Sequence, residues 1–259
     1  KDAAQNTPER ILADGSTPAE ALAKVSAAAH DLVREQYRLL REEIFPALRA
    51  DNIIFLRRNE WDAAQKAWIS DYFFRELMPI LTPIGLDPSH PFPRVLNKSL
   101  NFIVELEGAD AFGRESGIAI VQAPRILPRV IKLPAELAAD GADTFVFLSS
   151  ILHSHVQELF PGMLVKGCYQ FRVTRDSDLS VDDDDVKNLR TALQGELRQR
   201  QYGDAVRLEI ADTCPAHMEE FLLNTFALQK HDVFRVDGPV NLVRLMQVPD
   251  FVDRPETKF

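Results

Sequence analysis

The sequence predicts an α+β protein, with a long amphipathic helix at its N-terminal end and a head domain of mixed strands and short helices behind it. Three observations lead there. Apolar residues recur at helical spacing from Leu22 to Leu48. From Leu100 onward the pattern turns into short β-branched and aromatic runs bounded by turn formers. Those runs are interleaved with helices and include several antiparallel-looking neighbours, which favours α+β over a doubly wound parallel sheet.

In chain order, residues 1–16 are polar, contain Pro8 and Gly15, and read as a loop or frayed end. Thr17-Pro18-Ala19-Glu20 is a helix start: Thr17 caps, Pro18 suits the first helical position, and Glu20 completes a capping box. The series Leu22, Val25, Ala29, Leu32, Gln36 or Tyr37, Leu40, Ile44, Leu48 follows, with Lys24, Asp31, Arg34, Glu35, Arg38 and Glu42 on the other face. One helix cannot cover its own stripe, so it must pack on a neighbour, within a bundle or from another subunit. Pro46 is expected to kink it and Asp51-Asn52 to break it. Ile53–Leu56 reads as a short strand. Asn59 is then expected to cap a second helix carrying Trp61, Ala64, Trp68, Tyr72 and Leu77, ended by Pro79 and Pro83. The stretch 83–93 reads as an irregular, proline-rich connection.

Strands are expected at 101–106, 118–122, 129–132 and 144–148. Ser149 or Ser150 is expected to cap a helix that stops at Pro161-Gly162. Residues 166–174 alternate with period two, placing Cys168, Gln170, Arg172 and Thr174 on one side and Tyr169, Phe171 and Val173 on the other. A charged helix over 186–201, a strand over 205–210, a helix over 215–228, a strand over 233–236 and a short final helix over 241–246 complete the reading.

Composition narrows the function. The chain has 259 residues, enough to bury a sizeable core, with 46% hydrophobic and 27% charged residues. A net charge of −9 argues against non-specific nucleic-acid binding, which needs a basic footprint. It also means that a polyanion would need a local basic channel. Cys168 and Cys214 fit no zinc or redox spacing and read as buried thiols in a reducing cytosol. No apolar run approaches a membrane span, and no signal peptide opens the chain, so a cytoplasmic protein is expected. The start at Lys1, without Met and inside polar sequence, reads as a cut.

Four constellations invite chemistry. Asp182-Asp183-Asp184-Asp185 could hold magnesium, but the run opens a helix, where carboxylates favour the free N–H groups and consecutive residues diverge. His153-Ser154-His155 lacks a third ligand, and i, i+2 positions do not share a helix face, so no metal site is assigned. Arg172 and Arg175 are the candidates for binding phosphate, the alternative being pairing with Asp176, Asp178 or a carboxylate of a neighbouring element. His90-Pro91-Phe92-Pro93 is either part of a ligand rim or a packed connection between helix and sheet. There is no phosphate loop, no nucleophile elbow and no H-E-x-x-H. No catalytic residue is assigned.

An ordered set of phrases nevertheless carries a resemblance. His90-Pro91-Phe92-Pro93 leads to Asn97-Lys98-Ser99-Leu100-Asn101. Leu159–Gly162, Phe171–Asp176 and Asp237-Gly238-Pro239-Val240-Asn241-Leu242 follow, with Glu76–Ile84 and Arg198–Glu209 adding to the set. Together they resemble the bacterial polyphosphate kinases of the long-chain-synthesising type, from about Thr17 to near the end. The resemblance implies that 1–52 is the last part of an N-terminal helical domain and 53–259 the middle, or head, domain. It implies reversible transfer of the ATP γ-phosphate to polyphosphate through a phosphohistidine, with magnesium, in a cytoplasmic enzyme that can associate peripherally with membrane. The catalytic histidines and phosphate-holding arginines are then expected beyond Phe259. This portion would hold neither ATP nor magnesium fully, would be inactive alone, and would support a homodimer through the head. His90, Pro91, Phe92, Pro93, Asn97, Asp237, Gly238 and Pro239 are then structural motif positions. A stand-alone interaction or regulatory module derived from the same fold is the alternative.

Overall fold

A computed structural model of the chain describes residues 11–86, 92–109, 117–139, 141–176 and 203–252, together with Gly113 and Arg254. Helix α1 (Pro18–Leu39) opens as its sequence demands: the Glu20 backbone N–H donates to the Thr17 hydroxyl and the Glu20 carboxylate accepts from the Thr17 N–H at 2.8 Å. It runs through a π-helical turn (Leu40–Ile44) into α2 (Phe45–Ala50). The wide turn sits just before Pro46, whose missing N–H cannot serve the preceding turn. Asn52, with φ 57°, ends the run, because asparagine tolerates the left-handed conformation better than most side chains.

Strand β1 (Ile53–Phe55) follows. The next helix, α3 (Ala63–Tyr72), is capped by Asp62 in a reciprocal box with Gln65, not by Asn59, which lies within a 3₁₀ turn (Arg58–Glu60). Aspartate followed three residues later by glutamine satisfies two otherwise orphaned N–H groups, which Asn59 could not do. A second correction falls on 83–93. Thr82–Gly85 forms strand β2 at the sheet edge, where Pro83 needs no ladder N–H on its open side. His90 and Pro91 lie outside the described residues.

The strands β3 (Asn101–Glu107), β4 (Ile118–Gln122), β5 (Val130–Lys132) and β6 (Asp143–Phe147) fall within a residue of expectation. Helix α4 (Leu148–His155) has no side-chain cap, so Ser149 and Ser150 sit in its first turn and do not cap it. Strand β7 (Leu164–Arg175) is the longest, followed by β8 (Ala205–Ala211), α5 (Ala216–Phe226), β9 (Val233–Val236) and α6 (Val248–Phe251). The expected helix over 186–201 and the aspartate run lie outside the described residues.

Six strands form the main sheet in the order β2-β4-β3-β7-β8-β9, antiparallel except for the β8–β9 pair. A smaller sheet, β1-β6-β5, pairs β1 with β6 in parallel. Alternation assigns each face of the main sheet its own core. Phe102, Val104, Ala119, Val121 and Cys168 join Tyr37, Phe73, Leu77 and Ile151 on one side. Ile103, Ile120, Phe171, Val173, Leu208 and Ile210 join Met218, Leu222 and Leu223 of α5 on the other. The result is helices over both faces of a mixed sheet, an α+β architecture.

Candidate functional site

The candidate site lies where α1 and α2 meet the main sheet. Its centre is a buried polar layer on the face that carries Arg172. In the β7–β8 register Arg172 stands directly opposite Glu209. The Arg172 guanidinium donates to the Asn241 side-chain oxygen at 2.8 Å and lies 3.4 Å from the Glu209 carboxylate. Arg207, two residues along the same face of β8, donates to the other Glu209 oxygen at 2.5 Å and lies over the Phe234 ring at 3.9 Å. Phe234 in turn stacks on His30 of α1, centroid to centroid 4.0 Å. Burial pushes the Arg172 guanidinium below its usual pKa, with Glu209 opposing that shift.

Arg175 is tied down differently. Its Nε donates to the Val95 carbonyl at 3.1 Å and its Nη1 to the Gly203 carbonyl at 2.8 Å, while its backbone N–H donates to the Asn97 side chain at 2.9 Å. The two arginine candidates are therefore not brought together: Arg172 faces α1, and Arg175 closes the far end of β7.

The segment Asp237–Asn241 clamps the helix onto the sheet. Asp237 pairs with Arg41. The Tyr37 hydroxyl donates to the Pro239 carbonyl at 2.8 Å, and Gln170 donates to the Gly238 carbonyl at 2.8 Å. Gly238 has φ 155°, and a Cβ there would meet the Tyr37 ring at 3.1 Å, so both conformation and space call for glycine. Phe92 packs edge-on against Phe226 of α5, its centroid 5.4 Å away, in keeping with a packed connection for that part of the motif.

Beside this clamp opens a cleft of about 790 Å³. Arg41, Phe45 and Arg49 line one wall, Arg57, Arg58 and His153 another, and Cys168 and Gln170 the sheet side. Most of its cations are engaged. Arg41 holds Asp237, Arg49 holds Glu60 at 2.7 Å, and Arg58 contacts His153 Nδ1. Because arginine can only donate, His153 must accept at Nδ1 and carry its proton on Nε2. Burial, then the Arg58 charge, lowers the His153 pKa, which keeps it neutral. His155 instead stacks on Phe73 at 4.8 Å, so the two histidines serve different contacts.

The thiols are protonated: burial pushes Cys168 up to about 12 and Cys214 up to about 11. Among the described residues no three histidine, cysteine or acidic side chains cluster as metal ligands, and no helix is long and apolar enough to cross a membrane. The layer and the clamp position backbone and charge, and they present no nucleophile with a base beside it. Sequence reasoning missed Glu209, Tyr37 and Gln170. Period-two alternation put Gln170 and Arg172 on one face, and only the strand order showed that Glu209 lies opposite.

A family model of the polyphosphate kinase middle domain matches residues 64–248, and one of the polyphosphate kinase N-terminal domain matches residues 1–56. The chain belongs to the polyphosphate kinase family. It is 64% identical over 252 residues to a polyphosphate kinase of Neisseria meningitidis serogroup C, covering 97% of this chain and 37% of that relative. To the polyphosphate kinase of Pseudomonas aeruginosa PAO1 it is 54% identical over 251 residues, covering 97% of this chain and 36% of that one. It thus spans little more than a third of the length of these relatives. The crystal structure of polyphosphate kinase from Porphyromonas gingivalis is similar with a TM-score of 0.71 at 20% identity, over 92% of this chain and 33% of that one, a likeness of fold.

Proposed function

We propose that this chain is part of a polyphosphate kinase that reversibly transfers the ATP γ-phosphate to polyphosphate through a phosphohistidine, and that this part supplies structure and dimer contacts while the reacting residues lie outside it. One observation carries the reading: the chain aligns over 97% of its own length with only 37% of a polyphosphate kinase. The chemistry of the described residues agrees. The histidines of the cleft and the polar layer are spent on stacking and on arginine, and both thiols are buried and protonated. We place the boundary between the helical part and the head at 52/53, where Asn52 ends the helix.

Magnesium, which such a reaction uses, finds no fitting donor set among the described residues. Of the cleft's three carboxylates, Asp237 is held by Arg41 and Glu60 by Arg49, which leaves Asp212 alone, short of the several oxygen ligands that magnesium takes. On this reading ATP and magnesium are not held fully by this part, and the whole is a cytoplasmic enzyme. The dimer reading is supported by α1, where Val25 is 65% and Leu32 70% exposed on one side of a helix whose opposite side docks on the sheet.

The test is polyphosphate synthesis from ATP with magnesium, by this chain and by a full-length form carrying the remaining two thirds. An inactive chain beside an active full-length enzyme is expected. Synthesis by this chain alone would overturn the assignment of the chemistry to other parts. An inactive full-length form would overturn the family reaction and leave an interaction module.

A further inference from the structure

Outside the polar layer lies a small cavity of about 20 Å³ whose chemistry the proposed function does not use. Arg129 and Arg244 line it, with Ser149, Gln170 and Asn241. Arg129 is only 8% exposed. Its Nε and Nη1 atoms have no hydrogen-bond partner, and its Nη2 makes only a long contact, 3.4 Å, to the Ala123 carbonyl. Arg244 contributes a second buried and unpartnered Nε. Burial, and then the charges of Arg244 and Arg125, both cations, lower the Arg129 pKa to about 10. No carboxylate pairs with Arg129 or Arg244 among the described residues, although every other cation around the cleft except Arg57 has a partner. A desolvated guanidinium that shares a cavity with a second guanidinium is an arrangement that a fold tolerates when an anion completes it.

The cavity also receives the start of α4. The Leu148 N–H is spent on the Arg129 carbonyl at 3.0 Å, and no side chain caps the helix. Ser149, in the first turn, thus brings a hydroxyl and the positive end of a helix to the same place. We propose that Arg129, Arg244 and the first turn of α4 form a binding site for a tetrahedral oxyanion of the phosphate class. A volume of about 20 Å³ accommodates roughly one water-sized group, so one oxygen enters. The rest of the anion extends toward the larger cleft, which shares the walls Phe147, Ser149, Gln170 and Pro239. The proposal rests on this cavity alone, so an inactive chain in the synthesis assay leaves it standing.

Thermal unfolding of this chain tests it, with inorganic phosphate or tripolyphosphate against sodium chloride at matched ionic strength. Both phosphates should raise the melting temperature, by roughly 5–11 °C at a concentration ~100-fold above Kd. A stronger response to tripolyphosphate would assign the site to a chain end, and an equal one to free phosphate; both support an oxyanion site. Arg129→Met should fold as stably as the parent in chloride and respond to phosphate at least tenfold more weakly. Arg244→Gln, at the cavity rim, should weaken the response at least as much and serves should Arg129→Met not fold. No shift with either phosphate, an equal shift with chloride, or a full response in Arg244→Gln would overturn the site.

Discussion

Glu209→Gln is the sharpest perturbation of the polar layer. The Glu209 side chain is 7% exposed and faces two guanidinium groups, Arg172 at 15% and Arg207 at 29% exposure. Glutamine keeps the shape and one acceptor but removes the only carboxylate that either arginine pairs with among the described residues. Removing one partner from a fully buried ion pair costs about 3–5 kcal/mol. Partial exposure of Arg207, its contact with Phe234 and the Asn241 acceptor on Arg172 reduce that, so ~2 kcal/mol is expected. For a domain of this size that corresponds to a fall in melting temperature of roughly 4–8 °C. Urea unfolding of the parent, Glu209→Gln, Arg172→Met and the double variant forms the cycle. The double variant should be less destabilised than the sum of the singles by about 1 kcal/mol or more, because Arg172→Met removes the charge that Glu209→Gln strands. A Glu209→Gln variant within ~0.5 kcal/mol of the parent, or strict additivity, would refute the view that this carboxylate holds the layer together.

Gly238→Ala combines a backbone that favours glycine with a Cβ 3.1 Å from the Tyr37 ring, and should cost about 1–3 kcal/mol and loosen α1, read as faster hydrogen exchange along 26–40. Tyr37→Phe, which removes only the bond to the Pro239 carbonyl, should cost ~1 kcal/mol in the same unfolding assay. Leu40 and Leu32 should separate folding from assembly: Leu40 is 6% exposed, so Leu40→Asp should abolish cooperative unfolding, whereas Leu32→Asp should keep the melting temperature and lower the solution mass. Alkaline pH should destabilise the fold through Cys168 and Cys214, whose thiols are raised from 9.0 to about 12 and about 11. The unfolded chain releases these protons first, so stability is full below pH 9, falls as pH rises above it, and should fall less in Cys168→Ala, measured by urea unfolding at pH 8 and pH 10.

The regular elements were legible because each rests on local physics. The capping box at Thr17 and Glu20 involves atoms four residues apart or fewer, and period two in β7 follows from backbone geometry alone. The misreadings were also local, where two signals competed. Asn59 looked like a cap, but Asp62 with Gln65 satisfies two donors at once, and the better-satisfied start prevailed. Pro83 argued against a strand, yet an edge position leaves its missing N–H without consequence. The apolar stripe on α1 predicted a covered face but not which residues lie on it. Tyr37 and Leu40 are buried, while Val25 and Leu32 stay exposed, because α1 meets the sheet side through Ser26, His30 and Tyr37, and Val25 and Leu32 lie on another face of the helix.

The arginines show where such reading stops. A guanidinium's role is set by what stands across from it, and its partners here come from distant parts of the chain: Glu209 and Asn241 for Arg172, Val95 and Gly203 for Arg175. The sequence around Arg129 (Leu127-Pro128-Arg129-Val130) resembles an ordinary strand entry, and nothing near it marks a charge that would end up buried. Once the sheet order is known, the three separate. Arg172 faces a carboxylate, Arg175 donates to two backbone carbonyls, and Arg129 has one long contact to a carbonyl and two donors without a partner. Chemical type made Arg172 and Arg175 the candidates for phosphate. Charge balance shifts that expectation from Arg172 to Arg129, because a cation that already faces a carboxylate gains little from a further anion, whereas an uncompensated buried one gains its missing partner.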